Sequence, residues 1–189
     1  MEIARLGLEG VAEIRPKRLD DKRGFFSETW NADALAQAGI AIEFVQDNHS
    51  FSKARGVLRG LHFQTPPFAQ DKLVRVIRGR IFDVAVDIRA DSPDYGRWVG
   101  LEISAERWNQ LFVPRGFAHG FVTLEPNTEV IYKVSSRYTP ECDRSIRFDD
   151  PAIGIEWPVA HDELILSDKD RDAPLLADVE TGFAYGKLP

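Results

Sequence analysis

Apolar and polar positions alternate along most of this chain with a period of two, the spacing of strands that turn one face to a core. Residues 72–78 (Lys-Leu-Val-Arg-Val-Ile-Arg) and 81–88 (Ile-Phe-Asp-Val-Ala-Val-Asp-Ile) are rich in β-branched side chains and are predicted strands, joined at Arg78-Gly79-Arg80. In the second, Phe82, Val84, Val86 and Ile88 fall on one face, and Asp83, Ala85 and Asp87 on the other. Residues 98–104, 110–113, 119–124 and 129–135 read as further short strands, and Ser92-Pro-Asp-Tyr-Gly96 as a turn. Turn signals recur roughly every 8 to 12 residues, which points to an all-β sandwich or barrel rather than to βαβ units. Helix signals are scarce. The best runs from Asn31, a candidate N-cap, to Gly39, a candidate C′ residue. The Asp- and Pro-rich stretch 162–174 reads as a C-terminal cap or small helical tail. With no repeat, linker or low-complexity tract, residues 1–189 are expected to form one domain.

Composition narrows the partners. The chain has 189 residues, 43% of them hydrophobic and 29% charged, which excludes wholesale disorder. A formal net charge of -6 argues against duplex nucleic acid, which needs a basic footprint; a small anionic ligand needs only a few well-placed cations. The single cysteine, Cys142, excludes an intrachain disulfide framework and a multi-Cys zinc site. The N-terminus lacks the apolar core of a signal peptide, and no run approaches the roughly 18 apolar residues of a membrane span. A cytoplasmic protein with neither membrane nor nucleic-acid partners is the expectation.

Four segments are too polar for ordinary core strands: Arg23-Gly-Phe-Phe-Ser-Glu28, Gln46-Asp-Asn-His-Ser50, Arg59-Gly-Leu-His-Phe-Gln64 and Gly116-Phe-Ala-His-Gly-Phe121. A lone strand histidine is more often a satisfied core or surface residue than a catalyst. The glycines around His62 and His119, which let a ligand or another backbone come close, shift that balance. Metal-binding barrels of this kind place two histidines one residue apart on one strand. Here Gly60 and Gln64 flank His62, and Phe117 and Phe121 flank His119, so no metal is expected. His49 and His161 lie in loop-like polar surroundings.

These segments, together with Val57-Leu-Arg-Gly-Leu-His-Phe-Gln64, Lys72-Leu-Val-Arg75, Asp83-Val-Ala-Val-Asp87, Pro114-Arg-Gly-Phe-Ala-His-Gly-Phe121 and Leu166-Ser-Asp-Lys-Asp170, occur in an order that strongly resembles the dTDP-4-dehydrorhamnose 3,5-epimerases. The resemblance implies a metal-free, cofactor-free cupin jelly roll that works as a homodimer. The implied reaction inverts C3 and C5 of dTDP-4-dehydro-6-deoxy-D-glucose through enolates, giving dTDP-4-dehydro-L-rhamnose for polysaccharide synthesis. The alternative is a 3- or 5-mono-epimerase of a related dTDP-4-keto-6-deoxy sugar.

Each α-carbon flanks a ketone, so the base should titrate near neutrality, as histidine does. By resemblance His62 is that base, with Asp170 as its orienting carboxylate and Asp168 as the alternative. Lys72 is the cation for the enolate, and Tyr132 the acid on the opposite face. Arg23, Arg59 and Lys169 are implied around the diphosphate and sugar, with Glu28, Gln46, Asp47, Asn48 and His119 as further contacts. Phe26 and Tyr138 are implied stacking partners of thymine, and Arg23, Phe26 and Glu28 are candidates to act in the partner subunit's pocket. Asp143 or Glu141 stands where relatives carry a nucleotide-contacting glutamate. Arg59 and His62 have opposite parity, so a shared pocket requires a bulge or twist between them.

Overall fold

The computed structural model describes residues 1–187. The N-terminal alternation becomes β1 (Glu2–Arg5) and β2 (Ala12–Arg15), followed by an exposed hairpin of β3 (Arg18–Asp21) and β4 (Gly24–Ser27). The polar segment at 46–52 is β5 (Gln46–Ser52), and β6 (Leu58–Gln64) carries the first histidine motif. The β-branched runs form β7 (Lys72–Arg78) and β8 (Arg80–Asp87). Then come β9 (Trp98–Ser104), β10 (Gln110–Val113), β11 (Phe117–Thr123), β12 (Thr128–Val134) and the short β13 (Asp143–Ser145).

All pairings between these strands are antiparallel. One sheet has the order β1-β2-β10-β7-β12-β5, and the other β13-β6-β11-β8-β9. The two sheets enclose a core in which Val74, Val76, Leu111 and Val130 of the first meet Ile81, Ala85, Ile103, Phe117 and Phe121 of the second. This is the jelly-roll sandwich of the cupin type.

Both outer faces are also covered. Phe82, Val84, Val86 and Ile88, the apolar face read from the alternation of β8, pack with Leu61, Phe63, Ile146, Leu176 and Phe183 beneath the C-terminal segment. On the first sheet, α1 (Ala32–Gln37) sets Leu35 against Ile14, Leu73 and Phe112. Asn31 caps that helix by accepting the Ala34 amide at 2.9 Å, and Gly39 leaves it at φ +80. The C-terminal segment places a second short helix, α2 (Asp168–Arg171), against β6.

The conflict of parity in β6 is resolved by a bulge. On β11 two steps separate His119 from Phe121, but their partners on β6, His62 and Arg59, are three apart. Gly60 makes this possible at φ +121: a Cβ there would lie 2.6 Å from Gly120 Cα and 2.7 Å from the His119 carbonyl oxygen. The extra residue turns Arg59 and His62 to the same face, while Leu61 and Phe63 go to the opposite core.

Candidate active site

At one end of the sandwich the apolar filling between the sheets gives way to a cavity of about 480 Å³. Its walls include Arg59 and His62 from β6, Lys72 from β7, His119 from β11 and Tyr132 from β12, with Ser167 and Asp170 closing it from the tail. An adjoining space of about 350 Å³ shares His62, Lys72 and Tyr132, and extends to Gln46, Asn48, Gln64, Tyr138, Asp143 and Lys169. Each of Lys72, His119 and Tyr132 has the parity of an inward-facing core residue on its own strand: Val74, Phe121 and Val130 respectively.

His62 Nε2 lies 2.6 Å from Asp170 Oδ1, which leaves Nδ1 as the free ring nitrogen. Asp170 is buried. Ser167 caps α2 and donates its hydroxyl to Asp170 Oδ2 at 2.7 Å. Burial opposes ionisation of Asp170, but the hydrogen bond and charge of His62, the Ser167 hydroxyl and the Gly60 amide outweigh it and hold the carboxyl below its ordinary range. Asp168, the alternative partner, is almost fully exposed and pairs with Arg171 at 2.8 Å.

Lys72 is buried and donates to the His62 carbonyl oxygen at 3.3 Å. Desolvation lowers its ammonium to about 8, against the attraction of Asp143 and Asp83 and reinforced by Lys169. Tyr132 is raised, first by burial and then by Asp143, with Arg59 opposing, so its phenol stays protonated well past neutrality. His119 is buried, and its Nε2 lies 2.6 Å from Asp83 Oδ1.

The nucleotide-side candidates form a second group. Tyr138 donates its hydroxyl to Asp143 Oδ2 at 3.1 Å, and Lys169 pairs with the same oxygen. The charge of Asp143 raises the Tyr138 phenol above its ordinary value. Gln46 donates to Asn48 Oδ1 at 2.8 Å and accepts the Tyr138 amide at 3.2 Å.

Not every candidate converges. Asp47 lies on the opposite face of β5 from Gln46 and Asn48 and pairs with Lys133 at 2.9 Å, so the sheet separates it from His62. Arg23 is exposed at the hairpin tip and pairs with Asp21 at 2.6 Å. Phe26, 69% exposed, and Glu28, also exposed, line neither space. Two participants had no role assigned from sequence. Ser167 has the signal of a Ser N-cap three residues before an acid. Asp83 has only the signal of a carboxylate between Phe82 and Val84.

The family model of dTDP-4-dehydrorhamnose 3,5-epimerase matches residues 5–178. The chain belongs to this family. A dTDP-4-dehydrorhamnose 3,5-epimerase from Sinorhizobium fredii is 47% identical over all of this chain and 96% of its own length. Among solved structures, the dTDP-6-deoxy-D-glucose-3,5-epimerase RmlC from Legionella pneumophila, in complex with dTDP-4-keto-L-rhamnose, superposes with a TM-score of 0.93. It is 42% identical, and the match covers 98% of this chain and 99% of the other. ChmJ, a 3'-monoepimerase from Streptomyces bikiniensis in complex with dTDP-quinovose, matches at a TM-score of 0.84 and 35% identity, over 91% of this chain and 86% of that one.

Proposed function

We propose that this epimerase inverts C3 and C5 of dTDP-4-dehydro-6-deoxy-D-glucose to give dTDP-4-dehydro-L-rhamnose. The observation that carries the reading is the convergence of His62–Asp170, Lys72 and Tyr132 on one cavity. His62 Nδ1 takes the α-proton, and the C–H electron pair moves into the carbon–carbon bond of an enolate whose oxygen was the C4 ketone. Asp170 fixes the imidazole tautomer and stabilises the imidazolium that forms. Lys72 stabilises the enolate oxygen, a contribution of about 3 kcal/mol for such a preorganised donor. Tyr132 then delivers its phenolic proton to the opposite face of the carbon, which inverts it; the imidazolium releases its proton to solvent and the phenolate regains one, restoring both groups. The sequence runs once at each carbon.

Arg59, His119, Gln46 and Asn48 bind the sugar and diphosphate in this reading, and Tyr138 offers an aromatic face to thymine. The exposed hairpin carrying Arg23, Phe26 and Glu28 reaches the pocket of a second copy in a homodimer. Its exposed Leu19, Phe25 and Phe26 are apolar surface suited to such burial.

Incubation with the substrate in D₂O, followed by NMR at C3 and C5, tests the reaction. Deuterium is expected at both carbons. Deuterium at one carbon alone selects the mono-epimerase reading, as for the related 3'-monoepimerase, and none at either removes the proposal.

A further inference from the structure

Asp83 is the group in the polar half of the sandwich that the reaction above leaves without work. It sits mid-strand on β8, fully buried, with Ile81 and Ala85 of its own face in the apolar core. An ionised carboxylate in such a place is costly unless compensated by charge and hydrogen bonds. One oxygen is 2.6 Å from His119 Nε2, while Oδ2, equally buried, accepts no hydrogen bond from any described residue. The hydrogen bond from His119, which lines the substrate cavity, is therefore what compensates it.

We infer that Asp83 is a positioning residue of the epimerase: it holds His119 with Nδ1 directed at the substrate cavity. The inference rests on the epimerase reading. The geometry favours one tautomer, because an unprotonated Nε2 would set its lone pair against a carboxylate oxygen 2.6 Å away. With Nε2–H donated to Asp83, neutral His119 accepts at Nδ1; when it is protonated, it donates there.

The test combines a spectrum and a rate. In the unmodified, unliganded protein labelled with ¹⁵N-histidine, the His119 ring, assigned by its loss in His119→Gln, should be the Nε2–H tautomer. In Asp83→Asn, kcat/KM at neutral pH should fall about tenfold or more, as when the carboxylate behind a working imidazole is removed. The His119 ring resonances of that variant should shift as the Nε2–H loses its carboxylate acceptor. A merely structural Asp83 would lower the melting temperature and leave both the kcat/KM of the folded variant and the His119 ring resonances in place, which would overturn the inference. So would an Nδ1–H tautomer in the unmodified protein, a result available even if the variant does not fold. The spectrum needs no turnover, so its outcome is independent of which sugar the enzyme converts.

Discussion

His62 on β6 and His119 on β11 are direct cross-strand partners, and each sets Nε2 2.6 Å from its own buried carboxylate, Asp170 and Asp83 respectively. The two imidazoles are thus fixed by their backs and share one cavity, but their carboxylates come from opposite sides: one from the C-terminal helix, the other from inside the sandwich.

The first consequence concerns Asp170. Asp170→Asn keeps the volume but removes the anion that holds the His62 tautomer, and exchange at both carbons should slow by about 10² to 10⁴ in kcat. Because the folded carboxyl titrates below its unfolded value, its stabilisation is present above the unfolded pKa of 3.8 and is lost as pH falls through the folded one. Acid unfolding of the variant, followed by circular dichroism, should therefore be shallower than that of the native chain.

Lys72 carries the opposite sign. Burial lowers its folded pKa to about 8 from 10.5, so the unfolded chain binds more protons between these values and stability rises with pH across that window. Lys72→Met should be more stable than the native protein at neutral pH, by up to about 3 kcal/mol, with the difference closing above about pH 10.5. The same variant should lose about 100-fold or more in kcat. Native activity should decline as pH rises through about 8. Urea unfolding at two pH values and an exchange assay check both halves. Equal stability at neutral pH would mean that the ammonium is not held against desolvation.

Tyr132→Phe removes the proton donor and leaves the base. Exchange of deuterium into substrate should persist while net inversion falls by about 10² to 10⁴. A parallel loss of both would show that Tyr132 does not act after enolate formation.

The bulge is a local test of the fold. Gly60→Ala adds a methyl group against Gly120 and the His119 carbonyl in a backbone conformation that alanine resists. A loss of about 2 kcal/mol or more in thermal unfolding is expected. The loss of exchange should exceed what unfolding explains, because Arg59 and His62 lose their common face.

The hairpin reading predicts complementation between variants. A double variant Arg23→Ala with Phe26→Ala and a second variant His62→Ala should each be weak alone. When the two are refolded together, hybrid dimers should restore roughly a quarter of the sites. No recovery would place the hairpin away from the partner's pocket.

Period-two alternation was enough to draw β7 to β12, because β-branched runs such as 72–78 sit between two apolar layers and leave little choice of conformation. The same parity rule demanded a bulge between Arg59 and His62, and one is present. Applied to β5, it separates Asp47 from Gln46 and Asn48; the motif resemblance had grouped all three. Choosing Asp170 over Asp168 needed the turn of α2, which buries one carboxylate and exposes the other. Asp83 was hidden for a different reason. A carboxylate alternating with valines reads the same whether it meets solvent or a buried imidazole, and only the packing of β11 on β8 tells them apart.

The hydrogen bond from His62 to Asp170 spans 108 residues. His62 lies on β6, and its carboxylate partner is in place only where the tail has wrapped back and α2 has docked on that strand. The tail that delivers Asp170 also delivers Leu176 and Phe183 to the core beneath β8, so docking of the last segment ties completion of the hydrophobic packing to completion of the His62–Asp170 pair.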